Sequence, residues 1–263
     1  MTNNYENLFT FTLNEDGKSY SIKKKDNLKT LEKIIIPSTY NSLPVTKISP
    51  HCFSHCSNLK KIVFHDDIIE IGHNAFYNCW RITTINLPKN LKFIGDNAFN
   101  NCKNLTEIII PDSVTYIGTF AFCMCKNLTK IILPKGITEI SNNMFTFCEN
   151  LRHVIIPEGV TQIGENVFSL CDRLYSIVLP ESMTIIKENA FDGCRKLHSI
   201  YMPKGIKKIG DEAFRSCSEI YTVYYGGTIE DKRQMAFNHN GMFGNVYLNR
   251  AEWKYQSPKP DNN

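Results

Sequence analysis

The sequence predicts a capped solenoid, an α/β repeat whose short parallel strands stack along one face of a coil. Three observations predict it. Cysteine recurs every 23 residues, at Cys56, Cys79, Cys102, Cys125, Cys148, Cys171, Cys194 and Cys217. Phenylalanine stands three residues before each of them, from Phe53 to Phe214, and isoleucine eight before, from Ile48 to Ile209. Leu or Ile follows three residues later, and Ile or Val six residues later, as at Leu59 and Ile62. A fixed period with no insertion between units means stacked copies that bury continuous apolar columns.

The unit "VTYIGTFAFCMCKNLTKIILPKG", residues 114–136, gives the local elements in order. "VTYIG" is a short extended piece. Its last residue is Gly in five of the eight units, which suits a turn with φ > 0. Ser49, Ser141 and Lys187 stand there in the others. The next segment, as in "DNAFNNC", is expected to form a helical turn, with its acidic residue at the positive end of the dipole. "NLTKIILP" is a strand with Ile131 and Leu133 inward and Lys130 and Ile132 outward. Proline ends that strand in six units, because it cannot donate to a ladder.

The stretch "HCFSHC", residues 51–56, has the look of a metal site. In the repeat frame Cys56 is the core cysteine of its unit. Cys52 takes the small slot held by Ala75 and Ala98. His51 and His55 take variable slots held by Asn74 and Asn78, and no metal is expected. Successive cysteines should lie about 4.8 Å apart, one strand spacing. Their side chains point the same way, whereas a disulfide needs Cβ atoms that converge to about 3.8 Å. The ladder of eight therefore reads as small hydrophobes filling a tight column, not as disulfides.

The run "IGDNAFNNCKNLTEIIIPDSVTYIG", residues 94–118, resembles the BspA-type leucine-rich repeat, and the resemblance covers residues 31–228. "LEKIIIPSTYNSLPVTKI" resembles that family's entry segment, with an extra loop "TYNSLP". "YTVYYGGTIEDKRQMAF" resembles its closing segment, with Tyr-Gly-Gly in place of the Pro turn. The resemblance implies a right-handed leucine-rich-repeat solenoid with its strands on the concave face. It also implies a surface or secreted protein that binds host or matrix proteins.

A solenoid offers its extended strand face for binding. One outward column runs Lys61, Thr84, Glu107, Lys130, His153, Ser176, Ser199, Thr222. The next runs Ile35, Val63, Asn86, Ile109, Ile132, Ile155, Val178, Tyr201, Tyr224. A third, at the strand entry, includes Arg152, Tyr175, His198 and Tyr221. Ile and Val are also ordinary strand formers. The tyrosine-rich C-terminal half is a different matter, since tyrosine is enriched at interfaces. The candidate protein-binding residues are His153, Ile155, Tyr175, Val178, His198, Tyr201, Tyr221 and Tyr224. The expected function is non-catalytic protein binding, in adhesion or to a host or matrix protein; an intracellular scaffold using the same face is the alternative.

Other classes find little support. The sequence holds no nucleophile elbow, P-loop, dinucleotide fingerprint or HExxH, so no catalytic residue and no cofactor is expected. Net charge is +4, and Lys23–Lys25 and Lys204, Lys207 and Lys208 form no single stripe, so no nucleic acid is expected. No apolar run reaches about 18 residues, so no membrane insertion is expected. The start of the chain lacks a basic and an apolar signal region, which makes the cytoplasm the default location, against the surface location of the resembled family. A monomer is expected.

The ends complete one domain. Residues 1–44 are assigned to an N-terminal cap, a hairpin around "NEDG" plus a first partial repeat that covers the first rung. Residues 45–228 hold the eight repeats. Residues 229–253 form a C-terminal cap built on Met235, Phe237, Met242, Phe243, Val246, Tyr247, Leu248 and Trp253. Residues 254–263 are expected to be a disordered polar tail. Nine strand rungs are expected.

Overall fold

Each coil of the chain has three sides, and each side stacks on the matching side of the next coil. The computed structural model describes residues 5–25, 30–237 and 244–260. The first side is the strand face. Its rungs are Lys33–Ile35, Lys61–Val63, Thr84–Asn86, Glu107–Ile109, Lys130–Ile132, His153–Ile155, Ser176–Val178, Ser199–Met202, Thr222–Tyr225 and Glu252–Lys254. The central residue of each rung, from Ile34 to Val223, is buried, and its neighbours face out except at Tyr201, as period-2 alternation dictates elsewhere. The described residues thus hold ten rungs, one more than the repeat predicts. The tenth, Glu252–Lys254, pairs in parallel with the ninth.

The rungs are not one continuous ladder. The first pairs with the second, the third with the fourth, the fifth with the sixth, and the seventh to tenth form a four-stranded sheet. The second side is a row of mostly two-residue strands from Leu43–Ile48 to Ala236–Phe237. Here isoleucines Ile48 to Ile209 point inward.

The third side differs from expectation. The segment before each cysteine is a run of tight turns, not a helical turn. Two residues per unit lie in the left-handed region, such as Asn74 (φ 55°) and Asn78 (φ 63°). A helix cannot absorb those angles, and the backbone bonds show what they accomplish. Every second N–H points to the next coil: His51 donates to His73 O at 2.8 Å, Phe53 to Ala75 O at 2.7 Å, and His55 to Tyr77 O at 2.8 Å. The N–H groups between them close turns on their own coil, as Cys52 does on Ser49 O. Asn tolerates the left-handed region better than most residues, which explains its frequency in these slots.

The glycines of "VTYIG" also serve another purpose than the expected positive φ. Gly72, Gly95, Gly118, Gly164 and Gly210 are not among the positive-φ residues. They lie where consecutive coils nearly touch. A Cβ on Gly95 would stand 2.6 Å from His73 N and 2.8 Å from Gly72 C. Where Ser141 takes the slot, its Oγ donates to Ile117 O at 2.6 Å, so the larger residue is accommodated by a bond to the coil below. Gly95→Ala brings no such bond, and it is expected to cost about 1–3 kcal/mol in overpacking. Urea denaturation of that variant measures the loss, and an unchanged midpoint would show that the coils can part there freely.

The interior is a set of columns. Phe53, Phe76, Phe99, Phe122, Phe145, Phe168, Phe191 and Phe214 are fully buried, and each ring stacks on the next. All ten cysteines are free thiols and buried. Their role is more than filling space. Cys79 Sγ donates to Phe53 O at 3.0 Å, and Cys102, Cys125, Cys148, Cys171, Cys194 and Cys217 repeat the bond to the Phe carbonyl of the coil before. That carbonyl is buried, and an alanine in the slot would leave it without this donor. In "HCFSHC" the two cysteines face the core, and His51 and His55 are exposed turn residues, so the four do not converge.

The N-terminal hairpin Phe9–Leu13/Tyr20–Lys24 forms, with Gly17 at φ 63° and Asp16 accepting from Lys18 N and Ser19 N. Its partner is not the first rung of the strand face. Tyr20–Lys24 pairs instead with Leu43–Ile48, in the row of short strands, and Phe9 meets Phe53 edge to face at 6.3 Å. The loop "TYNSLP" is itself a tight hairpin, Thr39↔Pro44 and Tyr40↔Leu43, turning on Asn41 and Ser42 with positive φ.

The C-terminal cap is a degenerate further coil. The helix Ile229–Gln234 starts with a Thr228/Asp231 capping box. Asn245 is buried; its Oδ1 accepts from Phe214 N at 2.8 Å and its Nδ2 donates to Gly210 O at 3.1 Å. It thereby satisfies turn-side groups that the next coil serves elsewhere. Met235 and Leu248 are buried, and Trp253 is half-buried. Met242, Phe243 and the side chain of Phe237, expected in this cap, lie outside the described residues.

Residues 254–260, expected to be a disordered tail, pack back on the body. Lys254 belongs to the tenth rung, Gln256 N donates to Gly227 O, Ser257 N donates to Tyr225 O, and Lys259 pairs with Glu158. The charge on Lys259 and the backbone bonds, which composition does not reveal, hold the segment down.

Candidate functional site

The strand face carries the candidate site, and the structure divides its residues into three groups. The first is a cluster at the strand entry. Tyr175 and Tyr221 are 57% and 59% exposed, and half-exposed His198 lies between them. The Tyr175 and His198 rings stack at 4.3 Å, and His198 meets Tyr221 edge to face at 5.4 Å. His198 is held from two sides. Its Nδ1 lies 2.7 Å from Lys196 O and its Nε2 3.4 Å from Glu219, which also pairs with Lys196. Rung stacking sets the spacing of these rings, since Tyr221 N and His198 N bond to the carbonyls of His198 and Tyr175. The result is an exposed aromatic row in which His198, held on both ring nitrogens, contacts the tyrosine ring on either side.

The second group is Val178, Tyr201 and Tyr224, one column in register across the seventh to ninth rungs. Tyr224 is exposed, with Lys254 Nζ 5.5 Å over its ring, and Val178 is half-buried. Tyr201 departs from the expected outward position: it is only 3% exposed. Its hydroxyl donates to Glu181 Oε1 at 2.6 Å, and the space it fills is left by Gly226, where a Cβ would stand 2.9 Å from that hydroxyl. Six of the seven earlier units have proline at this corner, so the Tyr-Gly-Gly departure is what admits the ring. Burial, and then the bond to Glu181, pushes the Tyr201 hydroxyl up. Beside it, burial pushes Glu158 up, but the Lys259 ammonium and the Glu181 backbone N–H outweigh it and hold the carboxyl low.

The third group, His153 and Ile155, belongs to a different hydrogen-bonded block. It pairs with Lys130 and Ile132 and is separated from the seventh rung by a break in the ladder. It adjoins an apolar feature outside the tyrosine cluster. Ile109, 73% exposed, and Ile132, half-exposed, flank an open groove of roughly 440 Å³ between the fourth and fifth rungs. The groove sits at the ladder break, with Glu107 and Lys130 at its rim. The signal in the sequence is the unalternating "EIII" and "KIIL", where an outward residue is as apolar as its inward neighbours.

No group of three or more metal-ligating side chains gathers among the described residues, and no described helix is long and apolar enough to cross a membrane. A family model for the BspA-type leucine-rich repeat region matches residues 25–151 and 117–244, in six copies. The chain belongs to the BspA-type leucine-rich repeat family. Among solved structures, this repeat protein is similar to a leucine-rich repeat protein from Bacteroides ovatus, with a TM-score of 0.75 at 24% identity, over 95% of this chain and 70% of that one. It is also similar to a leucine-rich cell surface protein from Faecalibacterium prausnitzii, with a TM-score of 0.58 at 23% identity, over 95% and 93% of the two chains. A leucine-rich repeat protein from T. pallidum matches with a TM-score of 0.59 at 23% identity, over 86% and 91%. No curated protein matches. At these identities the solved neighbours bear out the leucine-rich-repeat fold and leave the partner open.

Proposed function

We propose that this BspA-type repeat protein is a non-catalytic binding module whose strand face docks a protein partner, in adhesion to a host or matrix protein. The observation that carries the reading is the row Tyr175–His198–Tyr221, exposed rings in mutual contact around a histidine held by Glu219. Rigid, amphipathic aromatics give large contact area at low entropic cost and dominate protein interfaces. Tyr224 extends the footprint, and Val178 supports it. Tyr201 acts from beneath, by fixing the corner at Gly226. His153 and Ile155 join the partner's footprint through the separate fifth–sixth rung block. The cell-surface description of one structural neighbour supports adhesion over an intracellular scaffold.

The test is binding of the wild type and a Tyr175→Ser, Tyr221→Ser, Tyr224→Ser variant to immobilised matrix proteins and to a cell extract. The variant should keep its circular dichroism spectrum and lose about 30-fold or more in affinity for the partner, the effect of removing an interface hot spot. Equal binding by both chains would move the site off the tyrosines. Binding confined to the cell extract would favour the scaffold.

A further inference from the structure

Among the described residues the strand face has a rung with an unpaired edge at each end. Among the described residues the first rung pairs only with the second, because the N-terminal hairpin extends the other row of strands. The tenth rung pairs only with the ninth. Exposed strand edges of this kind are templates for pairing with another chain.

The two edges have complementary phase. Glu32 O accepts from Lys61 N at 3.0 Å, and Ile36 N donates to Val63 O at 2.9 Å. Parallel pairing therefore turns the Ile34 backbone groups toward the second rung, and those of Lys33 and Ile35 toward the open side. At the far end Glu252 N donates to Tyr221 O at 2.8 Å. Glu252 and Lys254 thus face the ninth rung, and the Trp253 N–H and C=O face outward. That is the relation any rung of this molecule has to its successor.

We propose that the tenth rung of one molecule pairs in parallel with the first rung of the next, so that copies of this chain join head to tail through their strand faces. The register of the stack then sets Glu252 opposite Lys33, Trp253 opposite Ile34, and Lys254 opposite Ile35. The charges favour it. Lys33 already lies directly beside Lys61 on the same face, a like-charge pair that destabilises a sheet, and Glu252, which meets Lys254 at 3.7 Å in its own rung, brings a counter-charge. The apolar surface agrees as well. An open hollow of roughly 360 Å³ adjoins the first rung, lined by Tyr5, Leu8, Phe9, Leu31, Ile34 and Ile35 together with Lys33. The opposite end offers the half-exposed rings of Trp253 and Tyr255, stacked at 6.5 Å. Such an interface is heterologous: each copy keeps one free edge of each kind, and growth is open-ended. The inference stands apart from the partner proposed for the tyrosine row.

Sedimentation velocity over a micromolar-to-millimolar concentration series at low salt tests it. The wild type should exceed its 30.2 kDa chain mass and keep growing past the dimer without a plateau. Lys33→Glu and Glu252→Lys, each checked by circular dichroism to be folded, should each weaken association at least tenfold. Mixing the two variants should restore growth, because each then meets an opposite charge. Three results would overturn the proposal: a monomer at every concentration, a plateau at the dimer, or growth indifferent to the charge reversals.

Discussion

Stability is expected to fall steeply between about pH 8.5 and pH 10, far more steeply than for an ordinary protein of this size. Nine of the ten thiols carry raised pKa values. Burial pushes Cys52 up to about 12 and Cys123 up to about 11. It drives Cys79, Cys102, Cys125, Cys148, Cys171, Cys194 and Cys217 upward as well, outweighing backbone hydrogen bonds that act in the opposite sense. In the unfolded chain a thiol titrates near about 8.5. The folded state therefore holds protons that the unfolded state has released. A raised folded pKa contributes its full stability below the unfolded value and loses it as pH climbs toward the folded value. One such thiol gives up about 1.4 kcal/mol per pH unit in that window. Nine acting together approach a slope on the order of 10 kcal/mol per pH unit, comparable with the whole stability of a typical domain. Urea midpoints at pH 7, 9 and 10 measure the slope, with thiol labelling expected to appear in step with unfolding. A midpoint that holds to pH 10 would mean that the thiols ionise in place, against the burial argument.

The columns behind that prediction were legible because burial repeats. Every coil needs one Phe, one Cys and one Ile at the same inward slot, so the period exposes them together. The thiol-to-carbonyl bond was not legible, since composition presents Cys as a small hydrophobe and the acceptor is a backbone group of another coil. The turn side reads as helical for a specific reason: "DNAF" and "ENAF" suit a helix start as well as a chain of turns. What separates the two is asparagine at paired slots such as Asn97 and Asn101, where the backbone is left-handed. Tyr201 was expected outside because alternation assigns it there. Gly226, in a neighbouring coil, opened the space that took it in. The tenth rung escaped the period because two short helices lengthen that coil, so Trp253 follows Val223 by 30 residues instead of 23. Of the candidate site, Tyr175, His198 and Tyr221 came together as their spacing implied, and the Ile109–Ile132 groove required the ladder break that only coordinates reveal.

Phe122→Ala is expected to destabilise the protein by about 3–5 kcal/mol and to divide its unfolding into two steps. The ring of Phe122 is fully buried between Phe99 and Phe145, with centroids at 5.5 and 5.8 Å and planes within 3° and 7° of parallel. Truncation removes both contacts at once and leaves a cavity. The walls cannot close on it, because the turn-side bonds above and below, such as Phe99 N to Ala121 O and Phe122 N to Met144 O, fix the coil spacing. Position matters as much as chemistry. A solenoid is stabilised by nearest-neighbour interfaces along one dimension, so a weak interface in the middle uncouples two halves that can then unfold separately. Phe214 lies at the end of the row and, among the described residues, stacks on Phe191 alone, at 4.9 Å. Phe214→Ala should therefore cost less and fray the C-terminal coils, with the transition of the remainder kept single. Urea unfolding followed by tyrosine fluorescence and by amide hydrogen exchange distinguishes the two variants. Equal losses with one shared transition would mean that the coils cooperate over the whole length of the stack, and that stability here is not built from neighbour to neighbour.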